Sequence, residues 1–117
     1  MREDEVKRLL GDWLQSTGWT VQIAFGRSPG IDLDASRGDE RWVIEAKGIT
    51  AEPTLDFHTM LGQIIFQMHD PLIRYSVALP EGDTYRLRWN RLPDLAKQRL
   101  GLTALFVAAD GTVTEAS

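Results

Sequence analysis

Two stretches of the chain, Ile31 to Ser36 and Arg41 to Lys47, alternate apolar and polar residues, and a repeat of two is the signature of a β-strand. Arg37-Gly38-Asp39-Glu40 lies between them and supplies the glycine and acids of a turn, so the two stretches predict a hairpin. Alternation then decides which side chains meet. Asp32 and Asp34 share one face of the first strand, and Glu45 and Lys47 share one face of the second. On that second strand Trp42, Ile44 and Ala46 point the opposite way, which predicts an apolar face against a helix layer and an acidic face toward a cleft.

The segments around this hairpin complete an α/β pattern. Residues 2–17 carry Val6, Leu9, Leu10, Trp13 and Leu14 at helical spacing, and Gly18 ends the stripe. Thr20 to Gly26 reads as a strand that joins the hairpin in an antiparallel meander. Beyond Pro53, the residues Phe57, Met60, Leu61, Ile64, Ile65 and Met68 form a second helical stripe, which Asp70-Pro71 stops. Ile73 to Leu79 follows as a mostly apolar, centrally buried strand, and because a helix precedes it, parallel pairing is expected. Leu92 to Leu100 predicts a helix with Pro93 in its first turn and Gly101 as its C-terminal cap. Thr103 to Ala109 and Thr112 to Glu115, joined at Asp110-Gly111, predict a closing hairpin.

Two carboxylates beside a lysine suit metal-assisted hydrolysis. Mg²⁺ takes oxygen ligands in octahedral geometry, commonly one or two carboxylates with waters and substrate phosphate filling the rest. Asp32 and Glu45 can supply those oxygens, and the Ala46 carbonyl between Glu45 and Lys47 can add a third. Lys47 can hold the attacking water or neutralise charge growing on phosphate, and a lysine deprotonates more easily than an arginine. The competing reading of Glu-x-Lys on a strand is a solvated face or a cross-strand ion pair. His58 and His69 have no partner signature and receive no role. Trp13 and Trp42 are expected in the core.

Asp32, followed by Glu45-Ala46-Lys47-Gly48 and preceded by an amphipathic helix ending in Ser16-Thr17-Gly18-Trp19, resembles the PD-(D/E)XK or restriction-endonuclease-like nuclease superfamily. The pattern is nearest to its Holliday-junction resolvase and Mrr-type members. The family's Pro-Asp is here Gly30-Ile31-Asp32, with the proline at position 29. The resemblance implies an α-β-β-β-α-β core with a mixed central sheet flanked by helices, to which a C-terminal helix and hairpin are added. It implies Asp32 and Glu45 as ligands of Mg²⁺ or Mn²⁺ and Lys47 as the catalytic lysine. Many members bring a further glutamate to the metal from the first helix. Glu3, roughly 60° from the centre of the apolar arc at 100° per residue, is the candidate ahead of Glu5, which lies about 100° away. The other reading is that Glu3, Asp4 and Glu5 serve the helix dipole. Mrr-like members also place a glutamine in the helix after the lysine, in a Gln-x-x-x-Tyr pattern. Gln63 matches and Gln67 replaces the tyrosine; Gln63 would orient lysine, water or phosphate, or else face solvent.

At 117 residues with 43% hydrophobic composition, one domain spanning 1–117 is expected. The absence of cysteine excludes disulfides and thiolate zinc sites. No run approaches the length of a membrane span and Met1-Arg2-Glu3-Asp4-Glu5 has no signal-peptide core, so a cytoplasmic protein without membrane association is expected. Net charge −4 counts against a polyanion partner. The stretch 71–101, with Arg74, Arg86, Arg88, Arg91, Lys97 and Arg99 against Glu81, Asp83 and Asp94, is locally basic and reads either as a phosphate-binding patch or as a solvated face. Helix-turn-helix and zinc modules are absent, so nonspecific or structure-specific cutting is favoured. The expected function is a divalent-metal-dependent DNA endonuclease, with dimerisation anticipated from the resemblance. The alternative is a catalytically silent nuclease-fold domain that binds DNA or serves an assembly. A third, remoter reading is a small interaction domain whose acids only end a hairpin.

Overall fold

A computed structural model of the chain describes residues 1–26 and 29–117. The elements run α1 (Glu3–Ser16), β1 (Thr20–Ile23), β2 (Leu33–Arg37), β3 (Glu40–Ala46), α2 (Pro53–Phe66), β4 (Arg74–Pro80), α3 (Asp83–Arg91), α4 (Asp94–Leu100), β5 (Leu102–Val107) and β6 (Val113–Ala116). The six strands form one sheet in sequence order. β1, β2 and β3 pair antiparallel, β3, β4 and β5 pair parallel, and β6 turns back antiparallel on β5. The expected α/β class, with a mixed sheet between helices and the order α-β-β-β-α-β at its head, is the observed one.

Each face of the sheet has its own core. Val6, Leu10 and Leu14 recur at helical spacing on α1 and pack with Leu33, Ala35, Trp42, Ile44 and Ala46 on one face. On the other, Phe57, Met60 and Ile64 of α2 pack with Val43, Val77, Leu79, Tyr85 and Trp89. Helix α1 closes on Gly18, whose φ of 94° is open to glycine alone at no steric cost. There the Trp19 and Gly18 N–H groups donate to the Leu14 and Gln15 carbonyls, which caps the last turn.

The acid-bearing face of β3 packs on the α2 layer at Val43 and reaches the cleft at Glu45 and Lys47, as expected. Three expectations need correction. The second helix ends at Phe66, so Met68 lies beyond it, and Ile65 of the predicted stripe is 46% exposed. An unexpected helix, α3, precedes Pro93. Its apolar residues Tyr85, Leu87 and Trp89 are spaced by two, but only Tyr85 and Trp89, one turn apart, are buried. Pro93 caps α4 from outside its first turn, and Leu92 before it is extended, as a residue preceding proline prefers.

Four of the six cations of the basic stretch pack or pair within the fold, while Arg91 and Arg99 are exposed. The Arg74 guanidinium lies 3.6 Å from the Trp42 ring centroid, Arg86 lies 4.1 Å from that of Phe106 while pairing with Glu81, and Arg88 donates to Thr54 and to the Thr84 carbonyl. Lys97 is buried over Trp89. Among the described residues, no helix is long and apolar enough to cross a membrane.

Candidate active site

The open end of the β2/β3 hairpin positions the acids. Leu33 pairs with Ile44 in the register, which leaves Asp32 one step before the strand and level with Glu45. The Asp32 backbone still closes the sheet, since its carbonyl accepts from the Ala24 N–H at 2.9 Å. Its side chain takes the place of a ladder partner, and Oδ2 accepts from the Ala46 N–H at 2.9 Å. That bond fixes the carboxylate beside Glu45.

Glu45 is only 3% exposed. Burial first, and then hydrogen-bonding contact with the Asp32 carboxyl and its charge, push the Glu45 carboxyl up to about 8, against smaller downward pulls from Lys47 and Lys7. Burial thus favours the neutral form of the Glu45 carboxyl in the folded chain.

Two lysines and a third acid surround the pair. Lys47 follows Glu45 two residues on, with its N–H donating to the Ala78 carbonyl at 3.0 Å. Its ammonium lies 3.8 Å from Glu3 Oε1, and Glu3 Oε2 lies 3.1 Å from Lys7 Nζ. The first turn of α1 thus divides its acids. Glu3 faces the cleft, Asp4 accepts from the Gly26 N–H at 3.0 Å, and Glu5 is exposed. All three also lie where the helix dipole favours negative charge.

Gly48 makes this arrangement possible. A β-carbon there would lie 2.3 Å from the Glu3 nitrogen and 2.7 Å from the Arg2 carbonyl carbon, so only glycine lets the start of α1 rest on the end of β3. The Ile49 N–H donates to the Met1 carbonyl at 2.9 Å across the same contact. From the opposite face of the sheet, the buried Tyr85 hydroxyl donates to the Gly48 carbonyl at 2.8 Å. Burial pushes that phenol up to about 12, so it remains a neutral donor.

These side chains line a cleft of about 620 Å³ that Glu3, Asp32, Glu45, Lys47, Gln63 and Gln67 share with Phe66, Pro29 and two glycines. Gln63 is exposed at the rim, as the solvent reading requires, and it also faces the cleft. Asp34 does not join them; it pairs with Arg41 toward the turn end of the hairpin. Among the described residues, no three histidine, aspartate or glutamate side chains are grouped to hold a metal ion. Asp32 and Glu45 converge as a pair, while the Glu3 carboxylate is engaged by lysines.

Sequence reasoning missed Lys7 and Tyr85. Lys7 sits beside Val6 on the helical stripe and could have been read as an inward cation, because it is one turn from Glu3. Nothing local signals Tyr85, since its partner is 37 residues away.

No protein-family model and no curated protein matches the chain. Solved structures do. An XisH family protein from Nostoc punctiforme PCC 73102 is 20% identical, with a TM-score of 0.68 over 95% of this chain and 97% of that one. An fdxN element excision controlling factor protein from Anabaena variabilis is 19% identical, with a TM-score of 0.67 over 95% of this chain and 96% of that one. At these identities the likeness is one of fold, and it extends over nearly the whole of each chain.

Proposed function

We propose that this chain is a divalent-metal-dependent phosphodiesterase of the restriction-endonuclease-like type, acting on nucleic acid and most naturally on DNA. The observation that carries the reading is the convergence of Asp32 and Glu45, with Lys47 beside them, at a cleft formed where β2 and β3 part. Two carboxylates pressed together in a desolvated place repel each other, and a hard cation relieves that repulsion while using the oxygens it prefers. The donor set fits Mg²⁺ or Mn²⁺, with Asp32 and Glu45 as the residues that would hold it. Such an ion supplies Lewis acidity toward phosphoryl oxygen and lowers the pKa of a bound water.

The chain's own residues do the remainder. Lys47 offers a positive donor to the attacking water or to the phosphate as its charge builds. Glu3 keeps that ammonium at the cleft, and its contact must loosen as the lysine turns to substrate. Gln63 offers amide donors at the rim, where a phosphate oxygen or the water can be oriented. The name of one structural neighbour ties that protein to control of element excision, which agrees with nucleic acid as the substrate class.

The test is cleavage of supercoiled plasmid and of a four-way branched DNA by the purified chain with Mg²⁺ or Mn²⁺. Cleavage that stops with chelator and falls about 10²- to 10³-fold in Lys47→Ala is expected. Full activity in Lys47→Ala, or cutting that ignores chelator, contradicts the reading.

A second reading, a catalytically silent domain that binds DNA or serves an assembly, is favoured by the net charge of −4 and by Arg74 and Arg86 being stacked on Trp42 and Phe106. DNA binding that is indifferent to Mn²⁺, without cleavage, would support it.

A further inference from the structure

We propose that Lys7 is a positioning residue whose ammonium acts as a resident cation of the acid cluster, holding Asp32 and the chain at Ala24 in place and supplying part of the neutralisation that a divalent ion completes. This rests on the metal reading given above.

Lys7 is 1% exposed, on the face of α1 that otherwise buries Val6, Leu10 and Leu14. A lysine so placed is stable only when its charge is met. Nζ donates to the Ala24 carbonyl at 2.6 Å and lies 3.1 Å from Glu3 Oε2, 3.4 Å from Asp32 Oδ1 and 3.9 Å from Asp4 Oδ1. Burial pulls the ammonium toward neutrality, but the Asp32 and Glu3 carboxylates outweigh it, and Lys7 stays protonated.

The partners come from two separate parts of the chain, which a solvated helical ion pair does not require. Ala24 stands at the end of β1 and Asp32 at the entry to β2, so one ammonium ties both flanks of the segment that carries Pro29 and Gly30 to the rim. Asp4 adds to this hold through Gly26. Asp32 therefore meets a cation on one side through Oδ1 and the Ala46 N–H on the other through Oδ2.

A resident cation has a consequence that a merely structural lysine lacks. It shapes the site, but its charge also opposes a divalent ion drawn to the same carboxylates. Removing the charge should lower the stability of the metal-free chain and tighten metal binding at once.

The experiment compares Mn²⁺ binding by calorimetry and thermal stability with and without Mn²⁺ in the wild type, Lys7→Met and Lys7→Arg. Methionine keeps an unbranched apolar stem without charge. In Lys7→Met the metal-free Tm should fall, Mn²⁺ should bind about tenfold more tightly, and Mn²⁺ should recover more of the Tm than it adds to the wild type. Lys7→Arg, which keeps the charge, should bind Mn²⁺ within about twofold of the wild type. Unchanged or weaker binding in folded Lys7→Met overturns the proposal, as does a Lys7→Met chain that stays unfolded at saturating Mn²⁺. A wild type with no Mn²⁺ binding removes the metal reading itself and this inference with it, a result distinct from the other two.

Discussion

The two ends of one hairpin use the same residue types to opposite effect. At the turn end, the Asp34 carboxylate accepts from Arg41 Nε at 3.0 Å and from Nη2 at 2.8 Å, and the Arg37 Nε donates to Glu40 at 3.0 Å, all near solvent. At the open end, Asp32 and Glu45 face each other beneath α1 and α2, with lysines in place of arginines. Asp34 and Glu40 each have a guanidinium to themselves, and such surface pairs contribute about 0–1 kcal/mol. The acids at the open end share their cations and are largely withdrawn from solvent. The difference comes from what covers the strands. Gly48 lets α1 descend on one end of β3, whereas the residues of the turn are exposed.

The sharpest way to break this contrast is by activity. Asp32→Ala and Glu45→Ala should each lower metal-dependent cleavage by about 10³-fold, near 4 kcal/mol of barrier, while Asp34→Ala changes it less than about twofold. A comparable loss in Asp34→Ala, read on the same plasmid, would erase the distinction between the ends.

Stability supplies the next two tests. Gly48→Ala should destabilise by about 3 kcal/mol, lowering Tm by on the order of 10 °C, because backbone must move to admit the methyl. Gly38→Ala, in the turn with φ of 58° and open space around it, should cost about 1 kcal/mol. Chemical denaturation of both variants checks the ranking. The pH profile follows from Glu45. Its carboxyl, at 4.5 in an unfolded chain and about 8 in the folded one, holds a proton in the native state that the unfolded state has released. Metal-free stability is therefore greatest below about pH 4.5 from this group and falls as pH rises toward 8, by at most on the order of 5 kcal/mol. Glu45→Gln should flatten that slope, and Mn²⁺ should displace the proton and do the same. A slope of the same size in Glu45→Gln would assign it elsewhere. Smallest of all, Arg41→Ala should change stability by less than about 1 kcal/mol, with the difference shrinking further in high salt.

Much of this was legible in sequence, and the reason is local. Period-two alternation at Leu33 to Arg37 and Glu40 to Ala46 survives in any environment, so the hairpin and the spacing of Asp32, Glu45 and Lys47 could be read directly. The α1 stripe likewise told that Glu3 leans inward. Helix α3 was not legible, because nine residues with four charges present only Tyr85 and Trp89 to the core, and both are chosen by distant partners. Nor was the burial of Glu45, since alternation states which way a side chain points but not what lies over it. Lys7 was legible only in part, because its spacing from Glu3 is local while its contact with Asp32 is not. A charge on an apolar stripe makes sense only when Asp32, far along the chain, is brought to meet it.

The most direct measurement is a titration of the metal-free chain with Mn²⁺, followed by calorimetry at pH 7 in two buffers of different ionisation enthalpy. One ion per chain, binding with proton release, lost in Asp32→Asn and in Glu45→Gln but kept in Asp34→Asn, is the predicted result. Absence of binding, or binding that survives both open-end substitutions, would contradict the claim that Asp32 and Glu45 form a cation site.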